Sequence, residues 1–163
     1  KIKSEEMNNY ANVLDLIKIF NADIKQNGKE PKFKYTNVML IDDSELDNFI
    51  NEKTLEANHF AKKVYVHTSA KSALEFLSNL VTMGSEYSDV YPRVIFIDIN
   101  MPMMDGFQFI DHYKKSSEKH LQQPKLVILT SSVYNEDRQK ANEISEDIIF
   151  LNKPLTKAML DSI

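Results

Sequence analysis

Five short apolar runs recur along the chain, at residues 37–41, 63–66, 93–97, 125–129 and 147–151. Each ends against a polar residue and is followed by a segment of helical spacing, so the runs read as buried strands alternating with helices. The first helix follows Ser44, which forms a capping box with Asp47 and is expected to bury Leu46, Phe49 and Ile50. The second starts after Ser69 and shows the cleanest three-four periodicity, at Ala70, Ala73, Leu74, Leu77, Leu80 and Val81. The third follows Asp105-Gly106 and turns Phe107, Ile110 and Tyr113 inward. A fourth, over 135–145, offers only Ala141 and Ile144 to a core, which predicts a loosely held helix. The last begins at Thr156. Strand–helix alternation with short connections specifies an α/β fold, a parallel sheet with right-handed crossovers and helices on both faces. Ligands of such sheets bind beyond the carboxyl ends of the strands, so function is expected in the residues just after each strand.

Ahead of this unit, Met7, Tyr10, Ala11, Leu14 and Ile17 recur at helical spacing, widened by Val13, Leu16, Phe20 and Ile24. They predict an additional N-terminal helix over residues 4–26, ended by Asn27-Gly28-Lys29-Glu30-Pro31. The chain therefore divides into a helix and linker at 1–31 and a globular domain at 32–163. The helix reads as a cover for an apolar patch of its own domain or as a piece of a preceding one; a dimerising or signal-relaying helix is the other reading.

Length and composition narrow the function classes. With 163 residues and 42% hydrophobic side chains, the chain is one domain plus an appendage with enough apolar content for a core. Three glycines, Gly28, Gly84 and Gly106, are too few and too scattered for a dinucleotide or P-loop phosphate motif. The absence of cysteine excludes disulfides, iron–sulfur centres and thiolate zinc sites, and is compatible with a reducing compartment. A formal charge of −4 argues against a nucleic-acid or anionic-membrane surface, and no apolar run is long enough to span a bilayer. The chain starts at Lys1 rather than Met, which reads as a processed, trimmed or excised chain.

The strand ends carry the chemistry. Strand one ends in Asp42-Asp43, strand three in Asp98, strand four in Thr130, and strand five is followed by Lys153-Pro154. Taken singly these are ordinary: Asp43 or Ser44 caps a helix, Asp105-Gly106 makes a turn, Lys153 is a solvated lysine. Together they place three carboxylates at one sheet edge, where mutual repulsion calls for a cation. Oxygen ligands without Cys or a nearby His favour Mg²⁺ or Mn²⁺. A carboxylate nucleophile, hard metal, lysine and hydroxyl meet the needs of phosphoryl transfer and predict a phosphorylatable aspartate. His59, His67, His112 and His120 show no ligand spacing and read as surface or packing residues.

In these residues the chain resembles the receiver domains of two-component response regulators, over residues 35–163. The likeness rests on Asp42-Asp43, Asp98-Ile99-Asn100-Met101-Pro102-Met103-Met104-Asp105-Gly106, Leu129-Thr130-Ser131 and Phe150-Leu151-Asn152-Lys153-Pro154, in that order at successive strand ends. The resemblance implies a flavodoxin-like, doubly wound five-stranded sheet of order 2-1-3-4-5. It implies Asp98 as phosphoacceptor, and Mg²⁺, replaceable by Mn²⁺, on Asp42, Asp43, Asp98 and the Asn100 carbonyl. Lys153 and Thr130 would hold phosphoryl oxygens, the Lys153-Pro154 peptide would be cis, and Thr130 and Phe150 would form the switch that alters the helix 4–strand 5–helix 5 surface. The donor would be a sensor histidine kinase or histidine phosphotransfer protein, and the setting bacterial and cytoplasmic. A downstream protein is the expected target, with no nucleic acid or membrane contact, and homodimerisation stays open. The domain would be no conventional turnover enzyme, its chemistry being phosphotransfer to Asp98 and autodephosphorylation. A single-domain regulator is the preferred reading, with the receiver of a hybrid kinase kept open by the N-terminal helix.

Departures from the usual pattern lie at Phe150 (often Tyr), Ser131 (often Ala or Gly), Ile99 (often Met) and a long stretch at 82–93. Asn100 and Ser132 stand where the family tunes hydrolysis. Two other functional classes share parts of this pattern. A haloacid-dehalogenase-type phosphatase would need a second Asp where Asn100 stands, and an amide cannot act as acid and base. A phosphorylation-independent scaffold would keep the fold only for binding.

Overall fold

The computed structural model describes residues 31–117, 123–131 and 135–163. The predicted N-terminal helix, His120 and Ser132 lie outside the described residues. The strands are β1 (Tyr35–Ile41), β2 (Ala61–His67), β3 (Val94–Ile97), β4 (Lys125–Thr130) and β5 (Ile149–Asn152). The helices are α1 (Glu45–Ala57), α2 (Ala70–Met83), α3 (Gly106–Ser117), α4 (Asn135–Ile144) and α5 (Lys157–Ser162), with a 3-10 turn over Ser85–Val90. All strand pairs are parallel and the order is β2-β1-β3-β4-β5. The expected doubly wound sheet is therefore present.

Alternation along the strands builds two cores, one on each face of the sheet. Met39, Ile41, Ile95, Ile97 and Ile128 join α2, α3 and α4 through Leu77, Phe109, Ile110, Tyr113 and Ala141. Val38, Leu40, Val94, Phe96, Val127 and Leu129 meet Leu55 of α1 and Leu160 of α5 on the other face. Phe107, Ile110 and Tyr113 are buried as expected. On α4, Ala141 is buried and Ile144 packs on the core's margin, the thin apolar anchor that its sequence forecasts.

Helix α1 departs from expectation. Leu46 and Phe49 are 45% and 49% exposed and Ile50 is half-buried, while Asn48, Asn51, Thr54 and Leu55 turn inward. Both sets have helical spacing, so periodicity alone cannot choose between them. Hydrogen bonds choose. The Ser44 side chain accepts from the Asp47 N–H at 3.2 Å, and the Asn48 amide donates to the Asp42 carbonyl at 2.7 Å. Thr54 donates to the Ile50 carbonyl at 2.9 Å, so the inward hydroxyl is satisfied within the helix. On α2, Val81 likewise points outward, with Ala70, Ala73, Leu77 and Leu80 buried beneath it.

Candidate functional site

Sheet register assembles the site. Ile41 pairs with Ile97, so the next residue of each strand, Asp42 and Asp98, leaves the sheet beside the other. The Asp98 N–H donates to the Ile41 carbonyl at 2.9 Å, and the Asp42 N–H to the His67 carbonyl at 3.1 Å. Thr130 pairs with Asn152, and the Lys153 N–H donates to the Thr130 carbonyl at 2.8 Å, which brings Lys153 to the same edge. The Lys153-Pro154 peptide is cis.

Carboxylate oxygens of Asp42, Asp43 and Asp98 lie within 4.8 Å of one another. Asp42 and Asp98 are buried and Asp43 is exposed. The Lys153 ammonium reaches across them, 2.8 Å from Asp98 Oδ1 and 2.5 Å from Asp42 Oδ2. A third partner is Asp47 Oδ2 at 2.8 Å, one turn into α1. In the sequence Asp47 reads only as a helix-cap residue; an acid four residues after Asp43, on the first turn facing the strand ends, is the signal for its second role. The free oxygens are held by backbone: the Asn100 N–H donates to Asp98 Oδ2 at 2.7 Å and the Ser44 N–H to Asp42 Oδ1 at 2.9 Å.

Burial pushes the Asp42 carboxyl above its ordinary range; hydrogen bonds from Lys153 and Ser44 oppose this, and the Asp98 charge adds to it. Burial alone would lower the Lys153 ammonium, but hydrogen bonds to Asp42, Asp47 and Asp98 outweigh it and hold the amine above its ordinary value. At neutral pH Lys153 is therefore a fixed positive charge inside an acidic cluster. The close oxygen donors Asp42, Asp43 and Asp98 suit a hard divalent cation.

Thr130 is fully buried at the end of β4. Phe150 is half-buried on β5, at the edge of the larger core, with the Arg138 guanidinium of α4 5.0 Å from its ring centre. That cation–π contact links the expected switch residue to α4 and has no signature in sequence.

The loop carrying Asp98 is pinned from behind by α3. Asp105 and Gln108 cap each other, backbone N–H to side chain, at 2.7 and 3.0 Å. Gly106 then passes so close that a Cβ there would lie 2.4 Å from the Asp98 carbonyl oxygen and 3.1 Å from the Ile99 Cα. Gly106→Ala is expected to destabilise the fold by about 1–3 kcal/mol in urea titration, because the obstructing atoms are backbone. An unchanged midpoint would show that the loop yields freely.

The model of the response regulator receiver domain matches residues 38–163. The chain belongs to this family. Hybrid signal transduction histidine kinase L of Dictyostelium discoideum is 28% identical over 144 residues, 87% of this chain, and the chain spans only 8% of that kinase. A two-component response regulator from Cytophaga hutchinsonii superposes with a TM-score of 0.69 at 31% identity, covering 78% of this chain and 92% of that one. The receiver domain of the Arabidopsis thaliana histidine kinase CKI1, in complex with Mg²⁺ and BeF₃⁻, shares the fold at 19% identity, with a TM-score of 0.66 over 78% of this chain and 91% of that one. The receiver domain described here is thus a signalling-switch fold homologous to receiver domains of histidine kinases, rather than a conventional enzyme.

Proposed function

We propose that this receiver domain is a phosphoacceptor switch in which Asp98 takes a phosphoryl group from a phosphohistidine of a sensor kinase or phosphotransfer protein. The observation that carries this reading is Lys153, 2.8 Å from Asp98 Oδ1 and hydrogen-bonded to the neighbouring Asp42. A carboxylate oxygen of Asp98 attacks phosphorus; an O–P bond forms, the P–N bond breaks, and its electron pair stays on the imidazole nitrogen. Asn100 N–H and Lys153 hold the Asp98 carboxylate in one orientation before the attack. As negative charge accumulates on the phosphoryl oxygens, Lys153 and the Thr130 hydroxyl supply positive charge and a hydrogen bond. Asp42, Asp43, Asp98 and the Asn100 carbonyl would hold Mg²⁺, or Mn²⁺, which when bound neutralises phosphoryl charge. Water attack on phosphorus of the acyl phosphate returns Asp98 and inorganic phosphate.

Phosphate on Asp98 competes with Asp42 and Asp47 for Lys153, and draws the Thr130 end of β4 towards itself. Inward rotation of Phe150 then requires Arg138 to release its ring, which transmits the change to the α4–β5–α5 surface. The thin apolar anchor of α4 suits a moving part. The domain boundary near Lys32 and a cytoplasmic setting belong to the same proposal.

Intact-protein mass spectrometry after incubation with acetyl phosphate tests it, with peptide mapping to locate the modification. A gain of one phosphoryl unit on the Asp98 peptide that requires Mg²⁺ is the expected result. No gain in folded protein, together with no response of the α4–β5–α5 surface to BeF₃⁻ and Mg²⁺, would overturn it in favour of a scaffold.

A further inference from the structure

Two of the large apolar side chains left exposed, Phe49 of α1 and Val66 of β2, at 49% and 40%, line one groove, and Leu46, 45% exposed, precedes Phe49 by one turn of α1. Phe49, Val64 and Val66 line an open groove of about 420 Å³ between α1 and the edge strand β2, rimmed by Glu45 and Glu52. An apolar patch with a charged rim is the signature of a surface that something covers.

The chain itself leads to this place. Its described part begins at Pro31, and Phe33 packs edge-on against His59, with ring centres 5.8 Å apart. The Lys34 N–H donates to the His59 carbonyl at 3.1 Å. His59 follows Asn58, the C-cap of α1, so the preceding segment leaves the domain where α1 ends and β2 begins. Residues 4–26 carry an apolar stripe at helical spacing, and a helix of that length spans about 34 Å, more than the roughly 20 Å of α1. Most helical stability in proteins comes from packing of an amphipathic face, so this stripe calls for a surface to cover it. Lys18 and Lys25 flank the stripe two turns apart, the same separation as Glu45 and Glu52 on the rim.

We propose that residues 4–26 of this same chain form a helix that lies along the α1–β2 groove, parallel to α1, with Ile17, Phe20 and Ile24 covering Leu46, Phe49 and Val66. Lys18 and Lys25 then face Glu45 and Glu52. This covering helix does not depend on the chemistry proposed for Asp98.

The chain has no cysteine, which makes cross-linking a clean test. In the full-length double variant Lys25→Cys/Glu52→Cys, mild oxidation should close an intrachain disulfide, since docking holds the two Cα atoms within about 7 Å. The matched control is Lys25→Cys/Lys71→Cys, with Lys71 exposed on α2 across the sheet. Closure about tenfold faster than in the control is expected, reflecting a raised effective concentration. Adding Leu46→Ser and Phe49→Ser, which alter exposed positions and leave the core intact, should reduce the rate to that of the control. Equal rates for the two pairs, a rate untouched by the serine substitutions, or a disulfide only between two chains would each overturn the proposal; the last would assign the groove to a second copy.

Discussion

Asp98→Asn is expected to abolish covalent phosphoryl uptake while leaving the domain folded. The amide oxygen can still accept the Asn100 N–H that now reaches Asp98 Oδ2 at 2.7 Å. Lys153 loses one carboxylate partner and retains Asp42 and Asp47. The Asp98 charge is one cause of the raised Asp42 pKa, so in the variant the Asp42 carboxyl moves down towards its ordinary value. A carboxyl whose folded pKa is raised favours the folded state less as pH rises through its titration; weakening that shift favours the variant at neutral pH. Stability at pH 7 should therefore stay within about 1 kcal/mol of the parent or exceed it slightly. Intact mass after acetyl phosphate treatment and urea midpoints check both halves. Phosphoryl uptake equal to the parent's would remove Asp98 as the acceptor.

Lys153→Met has the larger effect on stability. The methionine fills similar space, but Asp42, Asp47 and Asp98 lose the ammonium they share at 2.5–2.8 Å. Removing one member of a buried charge cluster costs about 3–5 kcal/mol, because the remaining charges stay desolvated and unpaired. Lys153 has a raised folded pKa, so its contribution is fully present below the ordinary lysine value of 10.5 and is lost only as pH rises through the higher folded value. The full deficit is thus expected at pH 7. It should shrink as pH falls into the carboxylate range, since Asp42, freed from the two Lys153 interactions that lower its pKa, takes up a proton more readily. Urea titrations of parent and variant at pH 7 and pH 5 measure this; equal deficits at both would assign the loss to packing rather than charge. Phosphoryl uptake should fall by about a hundredfold or more, the loss expected when a preorganised charge at the transition state is removed.

These effects depend on residues of very different legibility. Asp42, Asp98, Thr130 and Lys153 announce themselves because each terminates or follows an apolar run, and a parallel sheet delivers all such ends to one edge. Asp47 does not. Its reach to Lys153, across an interval of 106 residues, depends on the rotation of α1 about its axis. The same rotation turns Leu46 and Phe49 outward, against the expectation from periodicity, because Asn48, Asn51 and Leu55 form an equally regular stripe. A buried asparagine is unfavourable on hydropathy, and sequence does not show that the Asp42 carbonyl, 2.7 Å from the Asn48 amide nitrogen, is there to accept from it.

Periodicity, turn residues and the placement of polar residues after apolar runs were enough to determine the alternating architecture, the sheet edge that bears the site, and the weak anchorage of α4. All of these depend on neighbours a few residues apart in the chain. Tertiary structure alone decided which face of α1 is buried, that Lys153 bridges three carboxylates, that Arg138 lies on Phe150, and that Gly106 has no room for a Cβ. Each of these is a distance between elements, set by close packing of two cores against one twisted sheet, and local patterning carries no measure of such distances.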